Sequence, residues 1–423
     1  MTILFVSFLL LLLVGVPIFA ATALASLSYI WLNGLPALVV VQQLFDSLDK
    51  FPLLAVPFFV LAGNLMNSSG ISDRLYIFAH SLCGHVTGGL GHVNIVGSFI
   101  FSGMSGTAMA DAAGVGTIEL KAMRDQGYDD DFSVGITAAS STMGPIIPPS
   151  LPMILYGITA NASVGALFIA GIVPGILMAI ALHTHVYVVA KRHGYPRAVR
   201  ATLKQVAVAF LRAIPVLAAP AIILGGILFG VFTPTEAAVI ASLYALLIGF
   251  VVYRTLTLRQ FIEELRSTFE TTAVVMIMTS GAIVFGWVLV RENFAANFVT
   301  FMLSFASEPW QCMLVLNVAL LICGMLMDPL PILLIFTPLV MPVLKVYAID
   351  PVQFGVVMVL NLMIGMLTPP IGGLCFVLAR ISGLPLARVF RACAPYYLPL
   401  GVVLILISVF PPLTLWLPNL LLK

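Results

Sequence analysis

Gly103-Met104 recurs as Gly324-Met325, and Gly144 followed by Pro148-Pro149 recurs as Gly365 followed by Pro369-Pro370. Every residue of the second set lies 221 positions after its partner in the first. Glycine and paired prolines are poor residues for an unbroken helix. Here they punctuate sequence otherwise built for lipid: 61% of residues are hydrophobic and 9% are charged. Soluble domains carry about 25% charge, so this chain cannot coat a water-facing surface. It reads as an all-α polytopic membrane protein. Interruptions at matched positions in two halves are the sequence mark of a secondary transporter's central binding site.

The formal net charge of +2 excludes little, because in a membrane protein the placement of Lys and Arg matters more than their sum. No nucleic-acid partner is expected. Cys83, Cys312, Cys323, Cys375 and Cys393 form no CxxC pair and read as small core residues. The apolar start has no Lys or Arg before it, which argues for a first membrane helix over a signal peptide.

Stretches able to span about 30 Å of hydrocarbon are 3–30, 163–190, 212–231, 235–253, 270–290 and 394–418, with 51–67 long enough if tilted. Segment 35–48 is either a short span or an interfacial helix. Segments 71–86, 257–269 and 293–308 mix apolar and charged residues and suit helices on the membrane surface. Residues 191–212 hold Lys191, Arg192, Arg197, Arg200, Lys204 and Arg212 with no acid, the strongest cytoplasmic mark in the chain. Arg380, Arg388 and Arg391 give a second. The first interrupted helix then starts in the cytoplasm and the second ends there, an inverted-topology repeat.

The expected organisation follows. Residues 1–190 are the first repeat: scaffold helices 1–67, an interfacial arm 71–86, a re-entrant hairpin 88–122, a discontinuous helix 132–160 and a helix 163–190. A basic cytoplasmic linker occupies 191–211. Residues 212–423 repeat the pattern, with scaffold helices 212–290, arm 293–308, hairpin 310–346, discontinuous helix 352–379 and helix 394–418. The hairpins break within Gly103–Gly106 and Gly324–Pro329. Irregular backbone at that depth is tolerated only in a protein interior or along a watery cavity.

A proline removes the hydrogen bond to the carbonyl four residues earlier. Pro148 and Pro149 therefore release the carbonyls of Gly144 and Pro145, and Pro369 and Pro370 those of Gly365 and Met366. A dehydrated cation coordinated by oxygen would satisfy them, with Na⁺ the natural candidate and Thr142, Ser150 and Thr368 adding hydroxyls. The hairpin tips offer restarting helix N-termini to an anion. Ser102, Ser105 and Thr107 lie at the first tip, and Asp328 stands where Thr107 stands in the other half. Asp111 divides evenly between a capping and a functional role. The methionines and phenylalanines read as filler, His183 and His185 as interfacial, and Asn64 as interhelical glue.

Residues 58–66 (with Ala62-Gly63-Asn64), Ser102-Gly103-Met104-Ser105-Gly106-Thr107-Ala108-Met109-Ala110-Asp111, Gly144-Pro145-Ile146-Ile147-Pro148-Pro149-Ser150 and Gly365-Met366-Leu367-Thr368-Pro369-Pro370 resemble the large membrane subunit of TRAP (tripartite ATP-independent periplasmic) transporters, the DctM type. The resemblance covers essentially the whole chain. It implies a multi-pass protein of the bacterial inner membrane, a Na⁺-coupled importer of organic acid anions. A transport domain carrying both hairpins would slide against a scaffold in an elevator mechanism. It also implies two partners, a small four-helix membrane subunit and a periplasmic substrate-binding protein. Carried over, the cation sites fall at Ser102, Gly103, Ser105, Gly106 and Gly144 and at Gly324, Met327, Gly365 and Thr368, for two or more co-transported Na⁺. The anion falls near Ser105, Thr107, Ser150 and Asp328.

Other classes remain to be weighed. A stand-alone Na⁺/carboxylate symporter of similar architecture would need no binding protein. Gly103-Met104-Ser105-Gly106 also resembles the GxSG of intramembrane serine proteases, but that chemistry needs a base within hydrogen-bond reach of the serine. The second half repeats the break without a serine. A passive channel gives no reason for paired interruptions.

Overall fold

A computed structural model describes residues 2–36 and 38–422, and every regular element among them is helical. Ala37, inside the 35–48 segment, lies outside the described residues.

The expected first span is two helices, α1 (Thr2–Leu13) and α2 (Ile18–Leu32), folded against each other because Gly15-Val16-Pro17 interrupts the run. The short segment forms α3 (Leu38–Leu48), about 16 Å long and so unable to span alone. A short 3-10 turn leads into α4 (Ala55–Ser68), followed by α5 (Ile71–Cys83). The first hairpin comprises α6 (Gly89–Ser105), α7 (Ala108–Ala113) and α8 (Val115–Asp125), and the first discontinuous helix α9 (Asp130–Ser141) and α10 (Leu151–Ala160). The 30-residue α11 (Val164–His193) closes the first half.

Capping boxes start the next three helices. Thr202 with Gln205 opens α12 (Leu203–Leu228), Thr233 with Glu236 opens α13 (Pro234–Leu247), and Thr257 with Gln260 opens α14 (Leu258–Arg291). The surface helix 257–269 and the span 270–290 are thus one continuous element of 34 residues. Its charged first third is amphipathic but has no helix breaker, so nothing in the local sequence separates the two parts.

α15 (Phe294–Phe305) precedes the second hairpin, α16 (Pro309–Leu326) and α17 (Pro329–Val346), and the second discontinuous helix, α18 (Pro351–Gly365) and α19 (Gly373–Ser382). The last predicted span is α20 (Leu386–Cys393), a 3-10 turn, α21 (Tyr397–Val409) and α22 (Pro412–Leu421), broken where Phe410-Pro411 cannot continue a helix.

Among the described residues, eight helical segments are long and apolar enough to cross a membrane. The 221-residue offset extends to element boundaries. α6 and α16 end at Ser105 and Leu326, α7 and α17 begin at Ala108 and Pro329, and α9 and α18 begin after Asp129 and Asp350. Both interruptions fall later than the glycines that announced them. Helix runs through Gly103 and Gly324 and stops at Gly106-Thr107 and Met327-Asp328.

The core lies between these repeated units: α16 packs on α18, α6 on α9, and α10 on α17, across the halves. The thiols are free and mostly buried. His183 and His185, expected near the membrane interface, both pack on protein. His183 Nδ1 is 2.7 Å from His92 Nδ1 on α6, and the His185 ring packs on Tyr396. Their helix, α11, is sheathed by hairpin and C-terminal helices, which proximity to the basic linker did not reveal.

Candidate functional site

At the first tip, Gly106 adopts a left-handed conformation (φ 65°), and Thr107 is extended and caps α7 by accepting from Ala110 N at 3.2 Å. At the second, Met327 and Asp328 are extended, and Asp328 Oδ1 accepts from Leu330 N at 3.1 Å. Each bend after a proline pair is tied to its own hairpin. Leu151 N donates to Gly106 O at 3.3 Å and Ile371 N to Met325 O at 3.2 Å.

The repeated glycines make these contacts possible. A Cβ on Gly144 would lie 2.9 Å from Thr107 O, and one on Gly365 would lie 2.7 Å from Gly324 Cα. Gly106 meets Pro149 O in the same way, at 2.7 Å, and Gly103 packs against Pro220 of α12. Backbone therefore presses on backbone wherever hairpin meets bend.

Two of the four released carbonyls are not bare. Ser150 Oγ donates to Pro145 O at 2.5 Å, and Thr368 Oγ1 donates to Gly365 O at 2.8 Å. Ser150, just after the first proline pair, reaches back to replace the lost amide, while Thr368, just before the second pair, gives Gly365 O both its hydroxyl and its own N–H, the latter at 3.0 Å. Among the described residues no donor reaches the carbonyls of Gly144 and Met366. Ser105 Oγ is buried with no partner among the described residues, while Ser102 Oγ donates to Ser98 O at 2.6 Å.

Both tips open on one cavity of about 300 Å³. Ser105, Thr107, Met109 and Ala110 line it from the first hairpin, Asp328, Pro329 and Leu330 from the second. Pro145, Leu151 and Pro152 come from the first discontinuous helix, Met363 and Met366 from the second. The remaining wall is Val60, Gly63 and Asn64 of α4 with Thr271 and Val275 of α14. Of the four residues expected around an anion, three line this space. Ser150 is buried behind it, capping α10 through Met153 N. Asn64 is glue, bonded to Thr268 Oγ1 at 3.2 Å, and it also lines the cavity, as does Thr271. Sequence reasoning set Asn64 aside as glue and did not single out Thr271; for Asn64 the signal was a polar residue beside Gly63 on an otherwise apolar helix.

The tips differ in what they can hold. At the first, the N–H groups of Ala108 and Met109 come before the first capped amide, Ala110 N, although the restarting helix has only six residues and a weak dipole. At the second, Pro329 and Pro331 have no N–H and Leu330 N is taken by Asp328, so almost no amide faces outward. The first tip thus presents N–H groups and hydroxyls to the cavity, and the second a carboxylate. No described lining residue is Lys, Arg or His.

Residues 5–413 match the family described as tripartite ATP-independent periplasmic transporter, DctM component. The chain is 46% identical to the sialic acid TRAP transporter large permease protein SiaM of Vibrio cholerae, covering 97% of this chain and 96% of that one. It is 43% identical to the sialic acid TRAP transporter permease protein SiaT of Haemophilus influenzae, over 96% of this chain and 66% of that protein. To the C4-dicarboxylate TRAP transporter large permease protein DctM of Pseudomonas aeruginosa it is 37% identical, covering 89% and 88%. The solved YdaH transporter of Alcanivorax borkumensis shares the fold, with TM-score 0.62 and 13% identity over 90% of this chain and 88% of that one. The chain therefore belongs to the DctM family, as a multi-pass membrane permease and not an enzyme: it is the large permease component of a tripartite ATP-independent periplasmic transporter.

Proposed function

We propose that this permease imports an organic acid anion across the bacterial inner membrane, driven by two or more co-transported Na⁺. The observation that carries the reading is charge. The cavity presents Asp328 and no basic side chain, so an anion entering it alone would meet a like charge in low dielectric. An accompanying cation resolves this, and the unpaired carbonyls of Gly144 and Met366 are oxygen ligands of the type a hard cation takes. The first site gathers Ser102, Gly103, Ser105, Gly106 and Gly144, the second Gly324, Met327, Gly365 and Thr368. The anion lies between, toward Thr107 and Ser105, with Ser150 holding the bend behind it.

Each net positive charge moved inward gains about 2.3 kcal/mol per 100 mV of membrane potential, so a surplus of Na⁺ over substrate charge supplies the drive. The cavity is walled by hairpin residues on one side and by α4 and α14 on the other. An elevator motion of the first group against the second would carry it across. Sialic acid is the first substrate to test, because the relatives at 46% and 43% identity are named for it. A small membrane subunit and a periplasmic binding protein complete the system. The length that SiaT has beyond this chain fits a fused small subunit.

The test is uptake into proteoliposomes holding the permease and its small subunit, with the binding protein added outside. Uptake that needs an inward Na⁺ gradient supports the proposal. Uptake undiminished with equal Na⁺ on both sides and no potential refutes the coupling. Full activity without binding protein favours the stand-alone symporter.

A further inference from the structure

Glu119, on the return arm of the first hairpin, takes no part in the reading above. It lies on α8, is 1% exposed, and neither carboxyl oxygen has a hydrogen-bond partner among the described residues. Its Oε1 fills the space over Gly97 of α6, where an added Cβ would sit 2.4 Å away, and Val115 borders the same spot. The titratable groups that act on it are Asp111 of α7 and Tyr76 of α5, neither of them a cation.

Other charged groups on the packed helices are engaged elsewhere. On α5, Arg74 binds Gly70 O and the Tyr253 ring, Asp73 is exposed, and His80 packs on the Tyr76 ring. His92 of α6 pairs with His183. On α9, Asp130 and Asp131 bind Arg124 and Arg388. Lys121, Arg124 and Asp125 of α8 itself are exposed.

We propose that Glu119 is a proton-binding site of the transport machinery, and that the return arm seats on α6 only with this carboxyl uncharged. An ionised carboxylate with neither donor nor cation carries a desolvation penalty that nothing here offsets. Among the described residues no group of three or more His, Cys, Asp or Glu side chains gathers there to hold a metal ion. The equivalent position in the second half is Val340, fully buried, so the repeated frame accepts an uncharged group there. The folded protein then keeps a proton that the unfolded chain releases in the ordinary carboxylate range. Stability must fall as pH rises beyond that range, because the native state binds more protons than the unfolded one. The inference does not depend on Na⁺ coupling.

The test compares wild type with Glu119→Gln and Glu119→Met in detergent, following thermal unfolding from mildly acidic to mildly alkaline pH, with uptake measured at neutral pH. Expected is a wild-type melting temperature that drops relative to Glu119→Gln as pH rises, with both neutral variants folding and keeping at least half of wild-type uptake. Parallel pH profiles, or neutral variants that fail to fold or fall below half of wild-type uptake, overturn the proposal.

Discussion

The two hairpin units share a backbone and differ in what fills it. In the first, the space between α6, α7 and α9 is polar. Ser98 Oγ donates to Asp111 Oδ2 at 2.8 Å, Ser140 Oγ to Asn94 Oδ1 at 2.6 Å, and Asn94 Nδ2 to Thr137 Oγ1 at 2.8 Å. At positions 221 residues on stand Ala319 for Ser98, Ile332 for Asp111, Val315 for Asn94 and Met358 for Thr137, with only Asn361 polar in place of Ser140. The tips diverge in the opposite sense, a neutral Thr107 against an ionisable Asp328. Duplication has kept the geometry of interruption while the chemistry has separated, so the two sites are not expected to be interchangeable.

The largest effect should come from exchanging the tips. Asp328→Ala is expected to bring uptake to background while costing about 1 kcal/mol of stability, the usual value of a lost helix cap. Asp328→Thr copies the first tip and keeps a capping oxygen, yet should fail equally. Wild-type uptake by that variant would show the tips to be equivalent and break the comparison.

Next come the backbone contacts. Gly365→Ala forces a methyl to 2.7 Å from Gly324 Cα, where no side chain can yield, and overpacking of this kind costs about 1–3 kcal/mol. Gly144→Ala meets Thr107 O at 2.9 Å and should be comparable. Gly401→Ala, with nothing within 4 Å, is the control and should stabilise α21 by about 0.5–1 kcal/mol. Melting temperatures of the three variants in one detergent decide the matter.

A smaller effect is expected at the first tip. Thr107→Val removes the hydroxyl facing the cavity and the cap on Ala110 N. It should raise the substrate KM several-fold and leave the Na⁺ dependence of uptake unchanged. A change in Na⁺ dependence would move the cation toward Thr107. The least effect belongs to the Arg388–Asp131 pair joining α20 to α9. Its side chains are 48% and 53% exposed, so Arg388→Ala should cost less than about 1 kcal/mol.

The sequence showed the frame well because glycine and proline act locally. Single prolines such as Pro174, Pro215 and Pro338 sit inside helices, but the pairs Pro148-Pro149 and Pro369-Pro370 behind a glycine end them, and their shared spacing is visible without any contact being known. What followed from long-range packing was hidden. The partner of His183 is His92, 91 residues away, which no local signal could show. Asn64 and Thr271 joined the candidate site only because α4 and α14 close around the tips. The division of 257–290 into a surface helix and a span failed for a local reason: charge marks an environment, and it does not end a helix.

That undivided α14 has a mechanical consequence. Its 34 residues extend about 51 Å, against roughly 30 Å of hydrocarbon. Arg259, Glu263, Arg266 and Glu270 crowd the overhanging end. Ser68 bonds to Glu264 and Asn64 to Thr268, so α4 is stitched to it where the charged stalk gives way to the apolar shaft. Thr271 and Val275 meet the cavity within the following two turns. On the proposed elevator motion, this helix would serve as a keel, a fixed depth against which vertical travel of the hairpins is gauged.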